Sequence, residues 1–309
     1  LLLDRHDVTV IDYKITKKIF YKENNVNYIN ANILDKKQLR EIFNKKRFDI
    51  VMHFAAVIDV KESMTDPSLY YRNNFIGSLN ILDLMVEHNI KYFIFSSTAA
   101  VYGNTNQTLI SEDHIKDPIN AYGNSKSMVE EMLFSYHKAH NIKYSILRYF
   151  NACGAHLDGT IGECHDPETH LIPVILQVAS GRRKNLDVFG DNFNTPDGTC
   201  VRDYVHVMDV SSAHILALKY IINNNQSSIL NIGSGTGYSV FEIINEVEKF
   251  TSTKIPFSIK DRRKGDTDRL IADIKKIKNS LGWVSKYSDL QNIIATAWRW
   301  EQTLKKKLY

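Results

Sequence analysis

The feature that most constrains this chain is a short apolar run that ends in hydroxyl residues and is followed by a tyrosine and a lysine. The run is Phe93–Phe95 with Ser96–Thr98 directly behind it, and after a polar loop come Tyr122 and Lys126. Apolar and aromatic side chains then continue at helical spacing, at Val129, Met132, Leu133 and Tyr136. This pattern predicts a buried strand whose polar end precedes an amphipathic helix.

Thr98, Tyr122 and Lys126 have the chemistry of a proton-transfer set. A separation of four residues places Tyr122 and Lys126 on one helix face, with β-carbons roughly 5–6 Å apart. A free tyrosine has a pKa of about 10 and is a poor base at neutral pH, but a nearby cation favours the phenolate. We therefore expect Lys126 to lower the pKa of Tyr122, with Thr98 sharing the proton of a substrate alcohol. The spacing alone also fits a packed tyrosine and a solvated lysine.

Strands and helices alternate through the first half of the chain, which predicts an α/β fold with a parallel sheet covered on both faces. Strands are predicted at residues 8–11, 27–30, 50–54, 92–95, 144–147 and 186–189. Helices are predicted at residues 36–44, 70–88, from about 122, and near 171–180, 207–223, 240–250 and 290–304. Asp12, Ala55 and Thr98 lie at predicted strand ends, which is where ligands bind in such sheets.

Composition excludes several classes of protein. With 309 residues, 43% hydrophobic and 24% charged, the chain can bury a large core. Its net charge of +4 is not concentrated in a basic face with interleaved aromatics, so no nucleic-acid partner is expected. No apolar run approaches the ~20 residues that cross a membrane. The cysteines Cys153, Cys164 and Cys200 form no paired motif, which favours a reducing cytoplasm.

Seven runs in order along nearly the whole chain resemble the extended short-chain dehydrogenases/reductases, and within them the UDP-glucose (UDP-galactose) 4-epimerase family. The runs are HFAAVIDVKES, YYRNNFIGSLNIL, FIFSSTAAVYG, AYGNSK, LRYFNACGAH, DGTCVRDYVHVMDV and RRKGD. The resemblance implies a Rossmann-type doubly wound sheet in residues 1–150. It implies a smaller C-terminal α/β substrate lobe in residues 151–309, with segments that return to the first domain.

The activity that the resemblance implies is that of an NAD-dependent isomerase. It would interconvert UDP-glucose and UDP-galactose through a transient 4-keto sugar, in galactose metabolism and nucleotide-sugar supply. Tyr122 would act as the base, Lys126 would hold the nicotinamide ribose, and Thr98 would relay the proton. The resemblance also implies a homodimer, formed by the helices that begin near Tyr70 and Tyr122.

The resemblance assigns a set of residues to NAD. Asp12 would bind the adenosine ribose, where an acid favours NAD over NADP, and Asn32 with Ile33 would contact the adenine. The other residues that match cofactor contacts are Phe54, Ala55, Ala56, Asn73, Ser96, Tyr122, Lys126 and Tyr149. No Gly-rich turn precedes Asp12, and the opening Leu1–Leu3 matches the end of the family's first helix. We therefore expect the natural polypeptide to begin about 20 residues earlier and the shorter form to bind NAD poorly.

A second set of residues matches substrate contacts of the family. Arg202 and Arg263 would hold the UDP phosphates, since guanidinium groups bind oxyanions bidentately. The remaining matches are Thr98, Asn151, His170, Leu171, Phe189, Asp266 and Leu270. Leu270 stands where family members that act only on the glucose and galactose sugars can carry tyrosine, so the smaller leucine would leave room for an N-acetyl group. Alternatively, Leu270 packs in the core.

Two other patterns are interpreted as structural. His165 and His170, with Asp166 and Glu168 between them, superficially suggest metal ligands, but Pro167 interrupts the run and no further cluster supports it, so no metal is predicted. The loop at residues 231–237 carries three glycines before a predicted helix, but their spacing differs from that of a dinucleotide loop, and it is assigned to the substrate lobe.

Three alternative functions remain open at this point. A UDP-GlcNAc 4-epimerase or another reductase of the family would use the same residues. A nucleotide-sugar 4,6-dehydratase needs a further acid, and this chain has Ala99 and Ala100 where dehydratases carry an Asp-Glu pair. A non-catalytic relative would only bind nucleotide sugars, and the missing Gly-rich turn favours it. Bound NAD in the purified protein would distinguish the last alternative.

Overall fold

The computed structural model describes residues 6–13, 23–105, 107–263 and 266–308, so the prediction about Leu1–Leu3 lies outside the described residues. The chain forms two compact units. The first unit comprises Leu1–Gly103, Ile115–Arg148 and His214–Leu230, and the second comprises Asn104–His114, Tyr149–Ala213 and Asn231–Tyr309.

The regular elements of the described residues are numbered in chain order. Strands β1 to β12 are Val8–Asp12, Val26–Asn30, Ile50–His53, Tyr92–Thr98, Lys143–Tyr149, Asn151–Cys153, Leu186–Phe189, Val201–His206, Ser228–Ile232, Gly237–Ser239, Phe257–Lys260 and Arg269–Leu270. Helices α1 to α10 are Lys36–Lys45, Val60–Thr65, Pro67–Tyr70, Gly77–Glu87, Ala121–His140, Leu171–Ala179, Val207–Asn224, Val240–Thr251, Lys275–Leu281 and Leu290–Leu308.

The first unit has the α/β fold with parallel strands that the alternation of strands and helices predicted. Strands β1 and β2 pair in parallel, and a second sheet has the order β3-β4-β5-β9. Strand β4 runs parallel to β3, with Phe95 opposite His53. The core of this unit includes Leu39 of α1, Leu82 of α4, Phe93 of β4 and Leu133 of α5, all completely buried. Helices therefore pack on the strands through the apolar faces that the sequence showed.

Two elements of the first unit differ from the predictions. The predicted helix 70–88 is a composite, because a π-helical segment, Tyr71–Ile76, lies between α3 and α4. Strand β9 was not predicted, since its run SILNI is short and leads into the Gly-rich loop. It nevertheless joins the sheet beside β5.

The second unit is built on shorter strands. Strand β8 pairs with β6, β10 and β12, while β7 pairs in parallel with β11. Its core brings together Ile175 of α6, Val188 of β7, Ile243 of α8 and Ile293 of α10. Among the described residues, no helix combines the length and the apolar character needed to cross a membrane.

Candidate active site

Thr98 and Tyr122 meet at the carboxyl end of β4. Thr98 is the last residue of β4, and its Oγ1 accepts a hydrogen bond from the Ala100 amide at 3.2 Å at the start of the 3₁₀ turn Ala99–Tyr102. Tyr122 lies in the first turn of α5, where the side chain of the N-cap Asn120 accepts from the Gly123 amide at 2.8 Å. The Thr98 side chain lies close enough to Tyr122 to act on the pKa of its phenol, in the lowering direction. The end of β4 and the start of α5 thus place the Thr98 hydroxyl near the Tyr122 phenol.

Gly123 permits this close approach. A β-carbon at Gly123 would lie 2.5 Å from the carbonyl oxygen of Ala100, which is closer than real β-carbons come to backbone. The absence of a side chain therefore lets the first turn of α5 lie against the turn that follows β4.

Lys126 lies one helical turn after Tyr122 and is only 3% exposed. Its Nζ donates to the Ser96 carbonyl oxygen at 2.9 Å and lies 5.0 Å from the centre of the Phe95 ring. Burial lowers the pKa of Lys126 to about 7. Burial raises the pKa of Tyr122, although the Thr98 side chain lowers it. The expectation that Lys126 lowers this pKa is wrong for this structure, because its ammonium is directed to Ser96 and desolvation dominates at Tyr122.

A buried ionic network lies on the opposite face of the strand from Thr98, because successive strand residues alternate in direction. Its centre is Glu130 of α5, whose oxygens accept from Arg148 Nε at 3.0 Å, Arg148 Nη2 at 2.7 Å and Ser97 Oγ at 2.6 Å. Arg148 Nη1 also donates to the Tyr102 hydroxyl at 2.9 Å, and Lys116 Nζ lies 3.3 Å from Glu130. This Glu130 network (Ser97, Tyr102, Lys116, Glu130 and Arg148) joins β4, the 3₁₀ turn, α5 and β5.

The π-helical segment positions Asn74 where it bridges two parts of the unit. Asn74 Oδ1 accepts from the Val57 amide at 2.9 Å, and its Nδ2 donates to the Val57 carbonyl and to Ser125 Oγ, each at 3.0 Å. Ser125 Oγ in turn donates to the Tyr122 carbonyl at 2.8 Å. Sequence reasoning missed Asn74 and Ser125, because periodicity does not reveal a π-bulge, although such bulges are frequent at functional sites. It chose Asn73 instead, whose Nδ2 donates to Asn74 Oδ1 at 3.2 Å.

The other residues predicted to bind a cofactor follow β1, β2 and β3. Asp12 ends β1 and is exposed. Asn32 accepts from the Leu34 amide at 2.9 Å, whereas the Ile33 side chain packs in the core, with 8% exposure. A ligand could therefore contact only the main chain of Ile33, because its side chain is buried.

The loop after β3 presents an unusually exposed aromatic ring. Phe54 is 56% exposed, and its ring centre lies 5.0 Å from that of His214. Ala55 and Ala56 are half-buried, and Asn74 fixes the backbone just beyond them at Val57. His53 at the end of β3 is buried against Ser78, and burial lowers its pKa to about 3, so it is neutral and structural.

In the second unit, strands β6, β8 and β12 bring four predicted substrate residues together. Arg202 Nη1 donates to the Val201 and Thr267 carbonyls, and its Nη2 lies 3.6 Å from the Asp266 carboxylate. Leu270 is directly opposite Arg202 in the β8–β12 pairing. Asn151 Nδ2 donates to the carbonyl of Asp203, the residue after Arg202, at 2.8 Å.

The remaining substrate candidates lie at the ends of other elements. The Arg263 guanidinium stacks over the Phe189 ring at 3.9 Å, at the end of β7. His170 is the N-cap of α6, and Leu171 is its first residue. Tyr149, predicted on the cofactor side, is the last residue of β5 and belongs to the second unit.

The Gly-rich loop at residues 231–237 binds a carboxylate of its own chain. Asp203 is completely buried and accepts from the amides of Ser234 at 2.7 Å, Gly235 at 3.0 Å and Ala272 at 3.1 Å. A β-carbon at Gly233 would lie 2.5 Å from Asp203 Oδ2. The glycines therefore allow the loop backbone to approach Asp203. Because the Asp203 carboxylate already accepts from the Ser234 and Gly235 amides, these amides are not available to a phosphate.

The comparisons with known proteins agree with this geometry. The protein family described as GDP-mannose 4,6 dehydratase matches residues 4–296. The UDP-glucose 4-epimerase of Lacticaseibacillus casei is 44% identical over 302 residues, which are 98% of this chain and 91% of that protein. The chain belongs to the UDP-glucose 4-epimerase family. The resemblance seen in the sequence is thereby confirmed.

Solved structures of the UDP-glucose 4-epimerase family share the fold. The enzyme from Stenotrophomonas maltophila, solved with NAD and formylated UDP-arabinopyranose, is 34% identical with a TM-score of 0.93, over 98% of this chain and 93% of that one. The UDP-Glc/GlcNAc 4-epimerase from Campylobacter jejuni is 38% identical with a TM-score of 0.84, over 98% and 94% of the two chains. The Rossmann-type prediction is therefore confirmed for this member of the UDP-glucose 4-epimerase family.

Proposed function

We propose that the chain is an NAD-dependent UDP-glucose/UDP-galactose 4-epimerase that acts through a transient 4-keto sugar. The observation that carries the proposal is the placement of Tyr122 at the start of α5 near Thr98 at the end of β4, with Lys126 buried one turn further along the helix. A phenol and a hydroxyl in this arrangement can remove and return the proton of an alcohol. Relatives at 44% identity carry the name of this activity.

The first unit would hold NAD, and its residues fit that cofactor. Asp12 offers a carboxylate to the ribose hydroxyls, and Asn32 with the Ile33 main chain offers polar groups to the adenine. The exposed Phe54 ring and the small Ala55 and Ala56 leave apolar surface and accessible backbone beside a fixed loop. The other proposed contacts in this unit are Asn73, Ser96, Tyr122 and Lys126. When bound, NAD would supply the hydride acceptor and donor for the sugar carbon.

The chain's own residues would move the proton. Tyr122 as phenolate would take the proton of the sugar 4-hydroxyl and later return it, with Thr98 as the relay. Burial opposes the phenolate by raising the pKa of Tyr122, whereas the Thr98 side chain favours it. Lys126 would bind the nicotinamide ribose.

The second unit would hold the UDP group through the whole cycle. Arg202 and Arg263 would bind the diphosphate, and both already contact flanking carbonyl, carboxylate or aromatic groups that limit their motion. The start of α6 adds the Leu171 amide and the positive end of a helix dipole, with His170 beside it. Asn151, Phe189, Asp266 and Leu270 complete the proposed contacts with the phosphates, uracil, ribose and sugar.

The direct test is turnover of UDP-galactose by the purified protein. We expect UDP-glucose as the product, and release of NAD on denaturation, measured by absorbance after enzymatic reduction. A product lighter by one water would indicate the 4,6-dehydratase instead. Absence of both NAD and turnover, with UDP still bound, would favour a non-catalytic relative.

A second candidate activity is the interconversion of UDP-GlcNAc and UDP-GalNAc. It is favoured by Leu270, which is shorter than tyrosine and lies opposite Arg202 in the sheet. The Campylobacter jejuni relative bears a name that includes both sugars. Robust UDP-galactose turnover without conversion of UDP-GlcNAc would refute this broader specificity.

A homodimer in a reducing cytoplasm is proposed as the working state. Leu69 and Ile76 are 36% and 44% exposed and leave apolar surface on the segment that leads into α4. Helices α4 and α5 would pair with their copies in the second subunit. No disulfide joins the cysteines of the described residues, which suits a reducing compartment. Light scattering at micromolar concentration checks the dimer, and a monomer would contradict it.

A further inference from the structure

Four side chains on the segment that leads into α6 converge on one point. Glu163, His165, Glu168 and His170 each direct one oxygen or nitrogen there, and these atoms all lie within 4.8 Å of one another. The sequence pattern had shown the two histidines with Asp166 and Glu168, whereas the cluster contains Glu163 in place of Asp166. Glu163 supplies the supporting ligand whose apparent absence had argued against a metal.

The separations match those of ligands around one tetrahedral metal ion. Glu163 Oε1 lies 3.0 Å from His165 Nδ1 and also contacts His170 Nδ1. The two oxygens of Glu168 lie 3.7 Å from His165 Nδ1 and 3.6 Å from His170 Nδ1. Two ligands at the usual zinc distance of about 2.0–2.1 Å, in tetrahedral geometry, lie roughly 3.3–3.4 Å apart. Small side-chain rotations would therefore bring all four atoms to coordination distance.

The charge of the cluster also suits a bound cation. The side chains of Glu163 and Glu168 are only 18% and 5% exposed. Among the described residues, no lysine or arginine forms an ion pair with either carboxylate. Two partly desolvated negative charges need compensation, which either two imidazolium rings or one divalent cation can provide.

We propose that Glu163, His165, Glu168 and His170 form a binding site for a divalent transition metal ion of the zinc class. Two imidazoles and two carboxylates in four-coordinate geometry suit zinc, whereas magnesium and calcium prefer ligand sets made only of oxygen. The site is anchored to α10, because the Glu163 carbonyl accepts from Trp300 Nε1 at 2.7 Å. A bound ion would fix the segment that enters α6.

The metal site is compatible with a substrate contact from His170. The ion would take Nδ1, so the ring would keep its proton on Nε2 and remain a hydrogen-bond donor. Zinc binds an imidazole nitrogen that carries no proton, so zinc binding should weaken as the pH falls.

The test is titration of the full-length, chelator-treated protein with zinc chloride alone. We expect one zinc per chain after gel filtration, measured by mass spectrometry, and at least tenfold weaker binding in both His165→Asn and Glu168→Gln. His156→Asn is the matched control, because His156 is also exposed and paired with a carboxylate, that of Asp158, but lies outside the cluster. Zinc binding by this control, and by Cys164→Ser, should equal that of the parent.

X-ray absorption of the zinc-loaded parent gives a second readout that does not depend on a variant folding. A first shell of nitrogen and oxygen alone is expected. A sulfur ligand would move the site to Cys164 and overturn the proposal. Failure of the parent to retain zinc would overturn it too, as would uptake that persists in His165→Asn and Glu168→Gln. None of these readouts uses epimerase activity, so they are separable from failure of the proposed function.

Discussion

Replacing Arg148 by methionine tests the Glu130 network most directly. Arg148 is 3% exposed and gives Glu130 two hydrogen bonds, at 3.0 and 2.7 Å, while Glu130 itself is completely buried. The variant would leave that carboxylate with only Ser97 at 2.6 Å and the nitrogen of Lys116 at 3.3 Å. Removing one partner of a buried pair costs about 3–5 kcal/mol, because the other charge stays desolvated. At about 2–4 °C per kcal/mol, the melting temperature should fall by roughly 6–20 °C.

The same variant should also lower turnover. Ser97 is bound to Glu130 and directly precedes Thr98, so a shift of the strand end would misplace the hydroxyl that lies near Tyr122. Displacements of about 1 Å can cost as much as about 100-fold in rate, so we expect a loss of kcat of at least about tenfold. The assay is urea unfolding for the free energy and UDP-galactose turnover at a temperature where the variant remains folded.

Arg182→Met provides the matched control. Arg182 makes a similar bidentate pair with Glu301, at 2.7 and 2.6 Å, and Ser180 also donates to that carboxylate. The Arg182→Met variant should lose stability but keep kcat, because Glu301 and Ser180 lie outside the proposed catalytic set. Glu130→Leu combined with Arg148→Met should recover more than half of the lost free energy, since no lone charge remains. The reasoning fails if Arg148→Met lowers the free energy of unfolding by less than about 1 kcal/mol. It also fails if the double variant is no more stable than Arg148→Met alone.

Three further predictions concern the proposed catalytic and specificity residues. Tyr122→Phe should lower turnover by about 10²–10⁴-fold with UDP affinity nearly unchanged, because phenyl packs but carries no proton; activity within about tenfold of the parent would rule out Tyr122 as the base. The pKa of Lys126 is about 7 in the folded protein, below its value in the unfolded chain. Above about pH 7, Lys126 therefore carries a proton in the unfolded chain but not in the folded protein. In the NAD-free protein, stability relative to Lys126→Met should therefore rise between about pH 7 and 10, and a flat difference in urea titrations would contradict this. Leu270→Tyr should reduce UDP-GlcNAc turnover at least about tenfold more than UDP-glucose turnover, and equal losses would argue against a role in sugar selection.

The sequence by itself determined the features that depend on residues close together in the chain. Alternating and helical periodicities located the strand that ends at Thr98 and the helix that carries Tyr122 and Lys126. The separation of four residues places these two side chains on one helix face wherever that helix lies. The expectation that Asp12, Ala55 and Thr98 lie at strand ends followed from the alternation of strands and helices, because that alternation specifies a parallel sheet.

Tertiary structure decided the features that need partners far apart in sequence. Glu130 meets Ser97 and Arg148 only because α5 packs on β4 and β5, and Asp203 meets the Gly-rich loop only because β8 lies beside β10 and β12. The desolvation that raises the pKa of Tyr122 likewise comes from this packing, so spacing alone predicted the wrong direction. Periodicity reports which face of an element is apolar, but it does not specify which other element covers that face. The ionic network, the occupied Gly-rich loop and the electrostatics of the catalytic pair were therefore fixed by the fold.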